Sequence, residues 1–480
     1  MVDTSQVIKT ARDSTQARPW LTVALLLLCD LALLSASAWL GAQAWQLFRP
    51  LTDLGEFYSL WPLLLIFPLG YALLGLYPAA GIHPVEELKH LSQTSTAVYL
   101  LAVLISFLLQ QDWLNARGSF VSAGLLTLLL VPLGRTLLRW AFADKPWWGV
   151  PVLVLGAGKT AQLLLERLNE QPGLGLKPVA CLDDDKHTYG SLAGVSVVGP
   201  LSETTRLARE YRVRHALVAM PGVHPSHLTK LLRRYASVFP HLIVVPDMFG
   251  VASLSVQVRD LSGIIGLHAR QNLLLRHNRI FKRLLDLALL VPAALLAIVP
   301  IIFACLWILV VSPGSPFYAQ KREGYGGKTV RVWKLRTMYK DADRLLERHL
   351  AENPEAKQEW ERFYKLRHDP RLLKGAGLLR KLSIDELPQL YNVLKGEMSF
   401  VGPRPFPYYH LEQFDEAFRS LRTEVKPGIT GLWQVSARSD GDLALQERLD
   451  GYYIRNWSFW LDIYILARTP WTVLTGKGAY

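Results

Sequence analysis

The sequence predicts a membrane protein of mixed class in three parts. These are a four-helix transmembrane bundle, a doubly wound, Rossmann-like α/β domain, and an α+β domain that carries a re-entrant membrane helix. Three observations lead there. Four apolar runs crowd the N-terminal third, a strand–glycine loop–helix pattern follows them, and a long proline-containing apolar stretch then lies between two basic flanks. The composition agrees, with 50% of the 480 residues hydrophobic and 19% charged. Soluble domains carry roughly 25% charged residues. These numbers exclude a disordered chain and a disulfide-stapled secreted module. Cys29, Cys181 and Cys305 are far apart, suit a reducing compartment and offer no zinc cluster. The net charge of +13, on so apolar a chain, points to anionic lipid or a phosphorylated substrate rather than nucleic acid.

The first part spans residues 1–145. Leu21–Leu40, Trp61–Tyr77, Thr94–Leu109 and Phe120–Leu138 approach the roughly 20 residues a bilayer crossing needs. Lys9, Arg12 and Arg18 precede the first run, and Ala36-Ser37-Ala38 imitates a signal-peptide cleavage site. The apolar stretch continues to Trp45, so the helix is read as retained. Arg135, Arg139 and Lys145 follow the fourth run. The positive-inside rule then puts the N-terminus and everything past Lys145 in the cytoplasm. Asp30 lies within the first run with no partner charge expected in the other spans, which favours a helix–helix hydrogen bond over a proton or ligand site.

Residues 146–265 change pattern. An apolar strand, Val152–Leu155, runs into Gly156-Ala157-Gly158-Lys159-Thr160-Ala161 and a helix from Gln162 to Asn169. Further strands are predicted at Pro178–Leu182, Ala216–Met220 and Leu242–Val245, and the alternation implies a parallel sheet. Gly156 and Gly158 resemble a dinucleotide phosphate loop, and Asp183 stands where a ribose-binding carboxylate would. The same glycines serve any tight strand-to-helix turn, and Asp183-Asp184-Asp185 also suits a solvated turn. The expectation is therefore a structural or regulatory domain, with no firm cofactor site.

Five Arg/Lys residues and no acid lie from Arg270 to Arg283, a footprint for anionic headgroups. The apolar stretch Leu287–Val311 follows, and beyond it come Lys321, Arg322, Lys328, Arg331, Lys334 and Arg336. Positive charge on both flanks conflicts with a simple crossing. Pro300 supplies a helix break, so a re-entrant helix over about 284–311 is expected, returning to its starting face.

Residues 266–480 hold the densest motifs. They are Lys334-Leu335-Arg336-Thr337-Met338, Ser383-Ile384-Asp385-Glu386-Leu387-Pro388, Val401-Gly402-Pro403-Arg404-Pro405 and Pro427-Gly428-Ile429-Thr430-Gly431. Either Ser383 and Glu386 form a capping box, or Pro388 opens the helix with the acids just upstream. Both arrangements set the acids at the positive end of a helix dipole. Adjacent residues on a helical turn diverge by about 100°, so Asp385 and Glu386 are expected to have different partners. Arginine suits bidentate phosphate contact, and the prolines around Arg404 hold it on a stiff backbone.

From about Arg270 onward these motifs, in this order, resemble the catalytic domain of the bacterial sugar transferases, the monotopic phosphoglycosyl transferases. With the four N-terminal runs and the doubly wound insert, the resemblance to the long form covers nearly the whole chain. It implies transfer of a hexose 1-phosphate from a UDP-hexose to undecaprenyl phosphate with release of UMP. Trp433-Gln434-Val435-Ser436 and the ending Gly478-Ala479-Tyr480 lean toward galactose over glucose. By the resemblance Asp385 is the nucleophile, and Glu386 holds Mg²⁺ or deprotonates the acceptor, with both acids as candidate metal ligands. Arg380, Arg404 and Arg438 correspond to donor-phosphate cations, joined by Lys334 and Arg336. Val299 precedes Pro300 where the family often has serine. The implied setting is the bacterial inner membrane, multi-pass, with the site facing the cytoplasm and a homodimer left open. Two rival readings remain. A nucleotide-sugar oxidoreductase would need a Tyr-x-x-x-Lys pair, for which Tyr391…Lys395 is the relevant match, and a non-enzymatic assembly scaffold would need no Asp385.

Overall fold

The computed structural model describes residues 17–50, 61–108, 113–245, 255–260, 265–270, 272–363, 366, 369–436 and 443–475. The chain divides into two compact units, 1–248 and 249–480. In the first, two 30-residue helices, Pro19–Phe48 and Trp113–Phe142, pack along each other. Among the described residues, three helices are long and apolar enough to cross a bilayer: Pro19–Phe48, Gly118–Phe142 and Arg276–Val311. The expected second span differs. It is a 3₁₀ turn, Trp61–Leu65, leading into the helix Ile66–Leu73, together about 22 Å long by helical rise. That falls short of the roughly 30 Å hydrocarbon core. The helix stops at Leu73, and the chain turns at Gly75 with φ +71°. The third helix, Pro84–Leu108, opens on Glu86 and Glu87, which shortens its apolar part.

Asp30 has a charged partner after all. Arg135 Nε donates to Asp30 Oδ1 at 2.9 Å, and Arg135 Nη1 donates to Glu87 Oε1 at 2.8 Å. Arg139 Nη2 stands 3.0 Å from Glu87 Oε2, and Tyr77 donates to Asp30 from its hydroxyl. The sequence reading counted Arg135 as a flanking charge, but the helix runs on to Phe142 and encloses it. Removing one partner from such a buried network costs about 3–5 kcal/mol, because the other charge is left uncompensated.

The α/β part follows in the same unit. Its strands are β1 (Val150–Leu155), β2 (Leu176–Leu182), β3 (Gly190–Leu192), β4 (Val195–Gly199), β5 (His215–Val218) and β6 (His241–Val244). The sheet order is β3-β4-β2-β1-β5-β6, parallel except for β3 against β4. The strand order reverses at β1, the topology of a doubly wound fold. Along β1, Leu153 and Leu155 enter one core while Val152 and Val154 enter the other, so both faces are covered. This sheet abuts the helical part, where Gly149 N donates to Thr22 Oγ1 at 3.0 Å and Gly81 N to Leu174 O at 2.7 Å.

The second unit begins with the hairpin β7 (Ser255–Asp260) and β8 (Ile265–Arg270). Its strands pair with each other and do not join the six-stranded sheet, so β7 leaves the middle domain to which the sequence reading gave it. The 36-residue helix Arg276–Val311 follows, unbroken through Pro292 and Pro300. The expected interruption at Pro300 is absent, since a single lost backbone donor does not end a helix supported along one side. That side is a stripe of Lys282, Asp286, Leu290, Ala297, Ala304 and Ile308, all buried and within about 80° of one another at 100° per residue.

Both ends of this helix are held by the same unit. Asp286 accepts from Ser399 Oγ at 2.9 Å and Phe400 N at 3.0 Å, and Lys282 Nζ reaches Asp462 at 2.6 Å. At the other end Ala304 and Ile308 pack with Leu335, Leu373 and Ala376. The opposite face exposes Leu295, Leu296, Phe303 and Val310. Two small sheets complete the unit: β9 (Phe317–Glu323) antiparallel to β10 (Thr329–Leu335), and β11 (Ser399–Val401) parallel to β12 (Gly428–Thr430).

Candidate active site

Along β10, Val330 and Val332 take the inward face and are buried. Residues two apart share a face, so Lys334 continues that face into a cleft lined also by Arg322, Glu386, Gln389 and Arg404. The acids sit in a 3₁₀ turn, Ile384–Gln389, reached through Ser383 at φ +54° with no side-chain cap. Neither expected α-helix start is seen: Pro388 lies inside the 3₁₀ turn, and the α-helix Leu390–Lys395 begins beyond it. Asp385 is buried, 7% exposed. Lys334 Nζ donates to Glu386 Oε1 at 2.7 Å, and Arg404 Nη2 donates to the same oxygen at 3.2 Å.

The two carboxyls are driven apart. Burial and then the Glu386 charge push Asp385 up to about 6, against the pull of Lys334, Arg380 and Arg404. Burial would raise Glu386 as well, but Lys334 and Arg404 outweigh it and hold Glu386 down to about 2. Near neutral pH both are ionised, with the cations standing nearer Glu386. Among the described residues no three His, Cys, Asp or Glu gather as a metal cage. Two adjacent carboxylates do fit Mg²⁺ shared with substrate phosphates, the usual mode for that ion.

The other expected site residues fall in different places. Arg380 lies in the last turn of the helix Ala376–Lys381, and its charge acts on both Asp385 and Asp369. Arg336 leaves the cation cluster. β10 ends at Leu335, and the Arg336 guanidinium turns to Ser312 just past the helix Arg276–Val311, 3.2 Å from its hydroxyl and also bonded to its carbonyl. Arg438 lies outside the described residues. Tyr391 and Lys395 share the short helix Leu390–Lys395, the ammonium 4.8 Å from the ring centroid, in a different unit from Gly156. The oxidoreductase pairing therefore has no support.

The sequence reading missed Gln389 and Asn392 and treated Arg322 only as flanking charge. Asn392 is fully buried and ties the acid-bearing turn to β10: its Oδ1 accepts from Trp333 N at 3.1 Å and its Nδ2 donates to Arg331 O at 2.7 Å. The two proline–glycine motifs meet backbone to backbone. A Cβ on Gly428 would lie 2.1 Å from Gly402 N, so both positions need glycine.

In the middle domain the glycine loop is braced from within. Asp183 Oδ2 accepts from Ala157 N at 2.6 Å and Oδ1 from Asp185 N at 2.9 Å. Asp184 and Asp185 accept from Leu201 N and His187 N, each at 2.9 Å. All three carboxylates hold backbone. Gly156 has φ +103°, and a Cβ there would lie 2.5 Å from Met220 Cγ, whereas one on Gly158 would meet nothing within 4 Å. We expect Gly156→Ala to cost about 2 kcal/mol or more, Asp183→Ala about 1–3 kcal/mol, and Gly158→Ala almost nothing. Thermal melts check this ranking. None of the three should alter which sugar is used, and a changed donor preference would contradict the structural role of the loop.

Comparison with known proteins fits this geometry. A family profile described as bacterial sugar transferase matches residues 277–476. The UDP-galactose-lipid carrier transferase of Erwinia amylovora is 32% identical over 82% of each chain. The undecaprenyl-phosphate galactose phosphotransferase of Salmonella typhimurium is 33% identical, also over 82% of each. The chain belongs to the bacterial sugar transferase family. This bacterial sugar transferase is accordingly an enzyme, a transferase. A third relative, the UDP-glucose:undecaprenyl-phosphate glucose-1-phosphate transferase of Escherichia coli, is 32% identical over 68% of each chain. A second profile, described as a CoA-binding domain, matches residues 72–246, the stretch that contains the six-stranded sheet.

Proposed function

We propose that this enzyme transfers a hexose 1-phosphate, galactose 1-phosphate foremost, from a UDP-hexose to undecaprenyl phosphate, as the first membrane step of O-antigen, capsule or exopolysaccharide synthesis. The observation that carries the reading is a buried Asp385 beside a Glu386 already neutralised by Lys334 and Arg404. A nucleophilic carboxylate is thus kept free while cations stand ready for phosphate. Asp385 attacks the sugar-bearing phosphorus, the bond from that phosphorus to the bridging oxygen breaks, and UMP leaves with that oxygen. An oxygen of undecaprenyl phosphate then attacks the same phosphorus and the aspartyl bond breaks, returning the carboxylate. Splitting the displacement lets an aqueous donor and a membrane acceptor use one site in turn. Arg404, Lys334 and Arg380 offset the charge that develops on the transferred group, with Arg438 as a further donor contact. Mg²⁺ bound at Asp385 and Glu386 would neutralise the donor diphosphate.

UDP-glucose is the second reading, favoured by the Escherichia coli relative at equal identity. The galactose-named relatives align over more of the chain, 82% against 68%. A panel of UDP-sugars assayed for UMP release with undecaprenyl phosphate decides between them. No UMP from any UDP-hexose would remove the proposal.

The same reading sets the helix Arg276–Val311 as a re-entrant or in-plane membrane element. It is about 54 Å long, yet its first and last turns are bound by one globular unit. Its outer face is apolar from Ile280 to Val310, beyond the basic first turn, which suits lipid contact on one side only. The N-terminal helices then form the multi-pass part in the bacterial inner membrane, with the six-stranded sheet and the Asp385 site each on the cytoplasmic side, where UDP-sugars are made. Single cysteines replacing Lys186 and Lys357, on a background lacking the native cysteines, should both be shielded from an impermeant thiol reagent in intact cells. Both should react after lysis. Labelling of Lys357→Cys from outside, with Lys186→Cys protected, would establish a true crossing.

A further inference from the structure

Pro403–Phe406 has no regular secondary structure, yet its backbone is bound at each residue. Pro403 O accepts from Gly428 N at 2.9 Å, and Phe406 O from Glu323 N at 3.1 Å. Pro405 O accepts from Arg322 Nη1 at 3.3 Å. The Arg404 carbonyl accepts from Arg422 Nη2 at 2.7 Å, and the Arg404 N–H lies toward the Asp450 carboxylate, helping to pull its pKa down against burial. Prolines have no N–H, so that is the one backbone donor between Pro403 and Pro405. The acceptor of Arg404 is taken by Arg422, whose guanidinium stands 3.5 Å from Asp450 in one buried pair.

The pair is deeply set. Arg422 and Asp450 are 6% and 1% exposed. The guanidinium lies 4.7 Å from the Phe406 ring centroid, with Phe414 and Phe418 at 5.7 and 5.6 Å. A buried ion pair gives little net stability, because desolvation offsets the attraction. What this one does in the structure is hold the backbone carbonyl of a single residue, and that residue carries the guanidinium that meets Glu386. A planar, five-donor group can bond a carbonyl and a carboxylate at once. Lysine would present a point charge in its place.

We propose that Arg422 and Asp450 are positioning residues for the transfer reaction: Arg422, paired with Asp450, holds the C=O of Arg404 and so sets where its guanidinium meets Glu386 and the donor diphosphate. The inference rests on the reading of Arg404 as a donor-phosphate cation. A site built this way loses rate when its supporting shell loosens, because small displacements of a charged group in a dry cleft change transition-state contact.

A double-mutant cycle tests it, using the full-length enzyme in membranes or detergent and initial rates of UMP release. Asp450→Asn keeps an acceptor for the Arg404 N–H but removes the charge that holds Arg422. We expect it to lower kcat about 10-fold or more in the native background, and less than about 2-fold where Arg404→Ala is already present. Equal losses in both backgrounds would show that the pair supports the fold generally and would overturn the proposal. Should Asp450→Asn fail to fold, Arg422→Lys goes through the same cycle under the same criterion. Unfolding of both variants counts against the proposal too, since a positioning pair acts on a folded site. If the wild-type enzyme itself releases no UMP from any UDP-hexose, the proposed function fails rather than this inference.

Discussion

Asp385→Asn should abolish both UMP release and lipid product while leaving the fold intact. The amide is a poor nucleophile, and Glu386 cannot replace the carboxylate because Lys334 and Arg404 both hold its Oε1. The substitution is nearly isosteric, and it removes a charge that burial and Glu386 both disfavour. Stability should therefore hold or rise slightly. Loss of a covalent nucleophile reduces turnover by about 10³-fold or more. Steady-state UMP release with UDP-hexose and undecaprenyl phosphate, measured beside a thermal melt, checks both halves. Near-wild-type turnover with an unchanged melt would exclude the covalent route.

Lys334→Met should be the second most damaging change, reducing kcat/KM by about 10²-fold, the scale for losing one electrostatic stabiliser. The substitution acts twice. It removes a cation from the cleft, and it removes a charge that lowers the Asp385 pKa. The sign of the pH effect follows. In the native enzyme Asp385 is ionised above about pH 6, so activity should fall as pH drops through that value. Without Lys334 the carboxyl protonates more readily and the acid limb should move to higher pH. A pH profile of UMP release for both proteins tests this. An acid limb that stays in place or moves down would show that Lys334 does not act on Asp385.

Much of this architecture is legible in the residues, and the exceptions have physical causes. The doubly wound sheet follows from alternating apolar strands and a glycine turn, and observed strand ends lie within two residues of expectation, as with Val150–Leu155 against Val152–Leu155. β3 and β4 escape notice because three- and five-residue strands hardly establish a period. The second membrane run misleads because hydropathy registers Trp61–Tyr77 as continuous, while the helix ends at Leu73 and the chain turns at Gly75. Asp30 and Arg135 meet across 105 positions, a pairing that no local pattern reveals.

At the site, Asp385, Glu386, Lys334 and Arg404 are dense in short motifs, and the fold brings them together. Arg336 sits two residues from Lys334, but the strand ends between them, and a motif does not record where pairing stops. Arg422 and Asp450 belong to no motif at all. Their role is visible only once the chain returns them to the backbone of Arg404.

The most direct test of the central claim is mass spectrometry of the enzyme incubated with UDP-hexose and Mg²⁺ in the absence of any lipid acceptor. The account predicts about one equivalent of UMP released per enzyme and a hexose phosphate added to the peptide that carries Asp385. The adduct should disappear when undecaprenyl phosphate is supplied. UMP release that strictly requires the acceptor, with no adduct on that peptide, would mean direct transfer between the two substrates and would contradict the account.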